Sequence, residues 1–230
     1  MNELDTIVRT VTVYAIPVLF AISLHEAAHG YVARYFGDPT ASEAGRLSLN
    51  PGRHIDPFGT ILLPLMLYLS PLHIPFGYAK PVPVDFDRLR NPHRHMPWVA
   101  AAGPAANFVM ALGWMMLFVV LASSGANDTA GGISEFFFRM AKAGITVNVA
   151  MCVFNLIPVP PLDGGRILTG LLPLPLARRF ARIERYTLWV FAALIALMYF
   201  GVLDGVFVRA MSFVTRLLAT LVYPLTFLLN

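Results

Sequence analysis

The residues best suited to chemistry are His25, Glu26 and His29, in the run His25-Glu26-Ala27-Ala28-His29. Positions i and i+4 of a helix lie on one face, one turn apart, so two imidazoles at this spacing suit two ligands on one zinc ion. The glutamate beside the first histidine then reaches a water at the metal and takes its proton. The surrounding sequence is apolar, and ionisable groups in a membrane helix are costly and usually functional. Interhelical hydrogen bonding is the competing explanation. Two histidines and a glutamate within five membrane residues exceed what packing needs.

A catalytic zinc normally has three protein ligands and an open position. The third is expected from another ionisable group at an apolar place, and Asp163 fits. It lies in Asn155-Leu156-Ile157-Pro158-Val159-Pro160-Pro161-Leu162-Asp163-Gly164-Gly165. The prolines unwind the end of a helix, and the paired glycines permit close backbone approach. The plainer reading of Asp-Gly is a turn; the histidines tip the balance towards a ligand.

These residues must be positioned by a membrane protein. Apolar residues make up 57% of the 230, against 17 basic and 13 acidic ones, where a soluble domain is about a quarter charged. No basic run interleaved with aromatics speaks for nucleic acid, despite the net charge of +4. The acidic start, Met1-Asn2-Glu3-Leu4-Asp5, lacks a signal peptide's basic region. The single cysteine, Cys152, reads as a buried small residue.

Full-length spans are expected at about 7–35, 98–122 and 134–157, with further apolar segments at 186–202 and 206–229. Pro57 to Leu72 is short and proline-broken, which suggests a re-entrant segment. Tyr78 to Asp85 reads as an extended edge strand, because prolines alternate along it. An extended substrate could add to that edge. His54, His93 and His95 read as exposed loop residues, and His73 has no evident partner. Interhelical hydrogen bonding accounts for Asn107 no better than a role at the site does, and for Asn148 it is favoured over lining the cleft with Asn155 on the same helix face. The expected fold is an all-α polytopic bundle of about five transmembrane helices, one re-entrant segment and a small β element, as a single domain over 1–230.

Topology gives a check on the ligand set. If 57–72 is re-entrant, the histidines late in the first span and Asp163 just past the third reach the same end of the bundle. The charges agree. Seven Lys/Arg fall between Arg34 and Arg94 and five in an expected loop from Arg166 to Arg185, while 123–142 carries only Arg139 and Lys142. The positive-inside rule makes the richer side cytoplasmic, with the N-terminus outside and the active site toward the cytoplasm.

An HExxH in a membrane helix, followed by Asn-x-x-Pro-x-Pro-Pro-Leu-Asp-Gly-Gly near the end of another, resembles the site-2 proteases, zinc-dependent intramembrane metallopeptidases. Gly103-Pro104-Ala105-Ala106-Asn107 adds to the likeness, which runs from the first span to about Leu168. The resemblance implies zinc held by His25, His29 and Asp163, Glu26 as general base, and Asn155 steadying substrate or oxyanion. It implies a catalytic core over about 7–168, C-terminal helices over 186–229, and a membrane-protein or peptide substrate within the lipid bilayer. No stretch has room for the PDZ or CBS domain of larger members. The competing class is an inactive zinc-binding scaffold or metal-handling protein. Glu26 discriminates, since a structural zinc has no use for a base.

Overall fold

A computed structural model describes residues 3–48, 50, 52, 56–62, 66, 80–129 and 131–229. The first helix, α1 (Glu3–Tyr35), is 33 residues long and is followed by one short turn, α2 (Thr40–Glu43). Two more long helices come next, α3 (Pro92–Ser123) and α4 (Gly132–Asn155). Then follow the short α5 (Asp163–Leu171) and α6 (Leu174–Ala181), the 13-residue α7 (Thr187–Tyr199), and the long α8 (Asp204–Leu229). Among the described residues four helices, α1, α3, α4 and α8, are long and apolar enough to cross a membrane. At ~1.5 Å rise per residue each exceeds the ~30 Å of a hydrocarbon core.

The centre of the bundle is α3, which packs against α1, α4, α5 and α8. One core joins Ala111 and Met115 of α3 to Ile145 and Val149 of α4 and to Leu218 and Val222 of α8. A second joins Ala33 of α1 to Val99 of α3 and to Leu89. The outward faces stay apolar: Val8, Ile16, Phe20, Val109, Phe213 and Leu221 are all exposed. A helix that is apolar on both its packed and outer sides matches a lipid surround.

Several expectations change. The run 186–202 forms a helix of only 13 residues, α7, which is shorter than the four membrane-length helices; it ends at Tyr199, has one buried residue, Leu194, and is followed by a turn at Gly201, whose φ is +70°. The segment 206–229 belongs to the bundle, with Leu218 fully buried. The basic stretch 166–185 is helical rather than a loop, in α5, α6 and a 3-10 turn over Arg182–Tyr186.

No strand occurs among the described residues, and 80–85 forms no ladder with any of them. The physical reason is that Pro81 and Pro83 have no N–H, so the segment lacks the donors a ladder requires. Tyr78 and Ala79 lie outside the described residues. Of the segment expected to be re-entrant, Pro57–Leu62 forms one π-helical turn and Met66 is helical. The rest of it, with His54 and His73, lies outside the described residues.

The connection between α1 and α3 starts and finishes at one end of the bundle. Arg90 donates from its backbone N–H and its guanidinium to the carbonyls of Tyr35 and Phe36, capping α1 with a cation where the helix dipole favours one. Buried Asp38 accepts from Thr40 N–H at 2.9 Å through one oxygen and from Asp85 N–H at 2.8 Å through the other. His93 and His95 are half-buried in the first turn of α3 rather than in a loop, and His95 stacks on Phe36 at 4.3 Å. Two antiparallel helices are thus fastened at their ends, with the histidines of α1 facing the small residues of α3.

Candidate metal centre

His25, His29 and Asp163 meet at this helix pair. Nε2 of His25 lies 3.1 Å from Nε2 of His29 and 3.2 Å from Oδ2 of Asp163, and the third side of the triangle is 3.4 Å. Ligand atoms ~2.0–2.1 Å from a tetrahedral zinc would stand ~3.3–3.4 Å apart, so the spacing fits one such ion. The group is dry: His25 is 5% and Asp163 6% exposed.

The opposite side of each ring shows why the Nε2 atoms face inward. His29 Nδ1 is 2.8 Å from the carbonyl of Val99, which can only accept, so Nδ1 is the donor. His25 Nδ1 is 2.6 Å from Oδ1 of Asn107. That amide is oriented by its own Nδ2, which donates to the Ala21 carbonyl at 3.2 Å and to Asn148 Oδ1 at 3.0 Å. Asn148 Nδ2 in turn donates to the Gly144 carbonyl at 2.9 Å. With both Nδ1 atoms carrying hydrogen, the neutral rings turn lone pairs toward the Asp163 carboxylate.

Asp163 Oδ2 is fully buried and makes no well-directed hydrogen bond. Two lone pairs and a carboxylate oxygen converging in a dry place call for a cation.

Space for that cation exists because residue 103 is glycine. A Cβ there would lie 2.6 Å from Nε2 of His25 and closer still to Nε2 of His29. The missing methyl leaves room beside the two Nε2 atoms. The donor set, the orphaned oxygen and this space all fit zinc.

The break after α4 delivers Asp163. Pro158, Pro160 and Pro161 cannot continue a helix, and the chain makes short turns until α5 begins at Asp163. Side chains at Gly164 and Gly165 would overlap the backbone of Leu156–Pro160. The glycine pair therefore lets α5 fold back on this turn and bring the carboxylate to α1.

Glu26 shares the turn with His25, and its Oε2 accepts the Val82 N–H at 2.8 Å. Within Pro81-Val82-Pro83 this is the one N–H, and it is committed to Glu26 rather than left for an added strand. Asn155, the last residue of α4, is half-buried and donates Nδ2 to Met151 O of its own helix at 3.0 Å. The three ligand candidates are thus brought together, with Glu26 beside them. Among the described residues no hydrogen bond or ion pair joins Asn155 to the others.

The sequence alone missed two participants. Gly103 read only as part of the run Gly103-Pro104-Ala105-Ala106-Asn107 rather than as the clearance over the histidines. Val82 gave no signal beyond being the lone N–H between two prolines.

Comparison with known proteins gives the family. The profile of Peptidase family M50 matches residues 126–198, which include the proline break and Asp163. The chain is 37% identical over 182 residues to "Putative zinc metalloprotease YwhC" of Bacillus subtilis (strain 168), covering 78% of each chain. It is 33% identical over 147 residues to "Putative zinc metalloprotease Rip2" of Mycolicibacterium smegmatis, covering 64% of this chain and 52% of that one. No solved structure matches. With its buried His-His-Asp group, its four membrane-length helices and more than three quarters of the Bacillus relative covered, the chain belongs to peptidase family M50.

Proposed function

We propose that the chain is a zinc-dependent endopeptidase that hydrolyses peptide bonds in or near the membrane-spanning segments of other proteins. One zinc per chain is held by His25, His29 and Asp163. The observation that carries this reading is the triangle of ligand atoms 3.1, 3.2 and 3.4 Å on a side, with Glu26 on the same helical turn. Bound there, zinc supplies Lewis acidity, which acidifies water and polarises a carbonyl.

The chain's own residues do the rest. Glu26 is the general base, taking the proton of the attacking water and passing it to the leaving amine. Its Oε2 is steadied by Val82 N–H, which leaves Oε1 to receive the proton. Asn155 carries two amide hydrogens, only one of them used on Met151, and the other is available to an oxyanion. The apolar walls keep bulk water out and so strengthen each of these interactions.

The site lies about ten residues, or ~15 Å, along α1 from Tyr35. That end carries the two basic stretches, so it faces the cytoplasm and the N-terminus lies outside. The substrate is a membrane protein or peptide, and the whole of 1–230 acts as one domain.

Glu26→Gln tests the reading. Zinc content measured by mass spectrometry should stay at one per chain in both proteins. Cleavage of a reconstituted transmembrane peptide should fall by ~10²–10⁴-fold. Persistent cleavage in the variant would remove Glu26 from the mechanism, and a metal scaffold would show no cleavage in either protein.

A further inference from the structure

We propose that Asn107 and Asn148 are positioning residues that set how tightly the site holds its metal. They do so by fixing the His25 ring with hydrogen on Nδ1 and the lone pair on Nε2. The proposal rests on the zinc assignment above.

The inference comes from the direction of a hydrogen-bond chain that crosses three helices. At its far end Asn148 Nδ2 donates to the Gly144 carbonyl, which can only accept, so Asn148 presents Oδ1 to its other partner. Asn107 must then donate through Nδ2, to Asn148 Oδ1 and to the Ala21 carbonyl, another obligatory acceptor. Both donor contacts use Nδ2, which leaves Oδ1 facing His25 Nδ1 at 2.6 Å. Every member has one allowed polarity. The two carbonyl ends decide which ring nitrogen of His25 is bare.

Burial gives this polarity its force. Asn107 and Asn148 are both 0% exposed, so no bulk solvent replaces a lost partner. An interhelical tie alone would need neither the contact to a ring nitrogen nor its direction. His29 receives the same service from a backbone carbonyl, Val99 O, which no side-chain substitution removes. Of the two rings, only that of His25 depends on side chains for its orientation. Hydrogen bonds of this kind typically contribute 10–100-fold to metal affinity.

The test is zinc affinity by chelator competition on the full chain in detergent, with thermal unfolding as the control for folding. Asn107→Leu, which keeps volume but offers no acceptor, should weaken zinc by ~10–100-fold. Asn148→Ala, which leaves the Asn107 amide in place and only frees it to turn, should weaken zinc by less. Unchanged affinity in Asn107→Leu overturns the proposal. If zinc does not bind the unaltered chain, the ligand assignment itself is overturned.

A second measurement does not depend on how the variants fold. In the unaltered chain loaded with ¹¹³Cd and labelled with ¹⁵N-histidine, His25 should show metal coupling at Nε2 and an exchange-protected proton on Nδ1. Metal coupling at Nδ1, or a rapidly exchanging Nδ1 proton, overturns the proposal.

Discussion

The pairing of α1 with α4 is made in two different ways along its length. Near the metal centre the two helices are joined through α3 by a chain of buried amides. The residues around it are small: Ala21, Gly103 and Gly144. At the other end, Val8, Tyr14 and Phe136 line a crevice of about 600 Å³ between the same helices. Its charged groups pair on an exposed rim, Lys142 with Asp128 at 2.6 Å and Arg139 with Glu135 at 2.7 Å. Small residues let backbones approach, and buried hydrogen bonds then fix the approach in one geometry. Bulky residues with solvated ion pairs do neither. Precision is concentrated at the end where chemistry needs it.

The largest blow to this contrast should come from Asp163→Ala. It removes the anionic corner of the triangle, and both bound zinc and peptide cleavage should be lost, as metal analysis and a cleavage assay would show. If zinc stayed bound, the buried carboxylate would not be what the imidazoles face. Gly103→Ala should come next, because the added methyl occupies the room beside the two Nε2 atoms. Zinc should bind far more weakly although the change is one carbon, whereas Gly113→Ala, on the same helix with open space beside it, should bind normally.

Asp38→Ala probes the fastening of the helix ends. It leaves the part-buried N–H groups of Thr40 and Asp85 without their acceptor, and thermal unfolding should report a loss of about 1–3 kcal/mol. The smallest effect belongs to the open end. Lys142→Ala breaks an ion pair whose partners are about half exposed, and it should change stability by no more than about 1 kcal/mol and leave cleavage alone. A large loss there would mean that the two ends are not so different.

Much of the centre was legible in the sequence because its strongest signals are local. His25 and His29 are set on one face by helical spacing alone, and Asp163 is flagged by the prolines and glycines that must break the chain beside it. The rest depends on distance along the chain. Asn107 lies 82 residues from His25 and Val82 lies 56 from Glu26, and no periodicity links such pairs. The span count failed for a different reason. Composition makes 186–202 look membrane-length, but the 3-10 turn at Arg182–Tyr186 and the turn at Gly201 leave a 13-residue helix between them. The strand expected over 78–85 failed because the same prolines that extend the backbone strip it of donors.

That last feature has a practical side. The bond that steadies Glu26 comes from a main-chain amide, so replacing each side chain from 80 to 85 by alanine in turn leaves the donor in place every time. A scan of that kind is blind to it. Only an imino acid at position 82, completing a run of three prolines, deletes the donor itself.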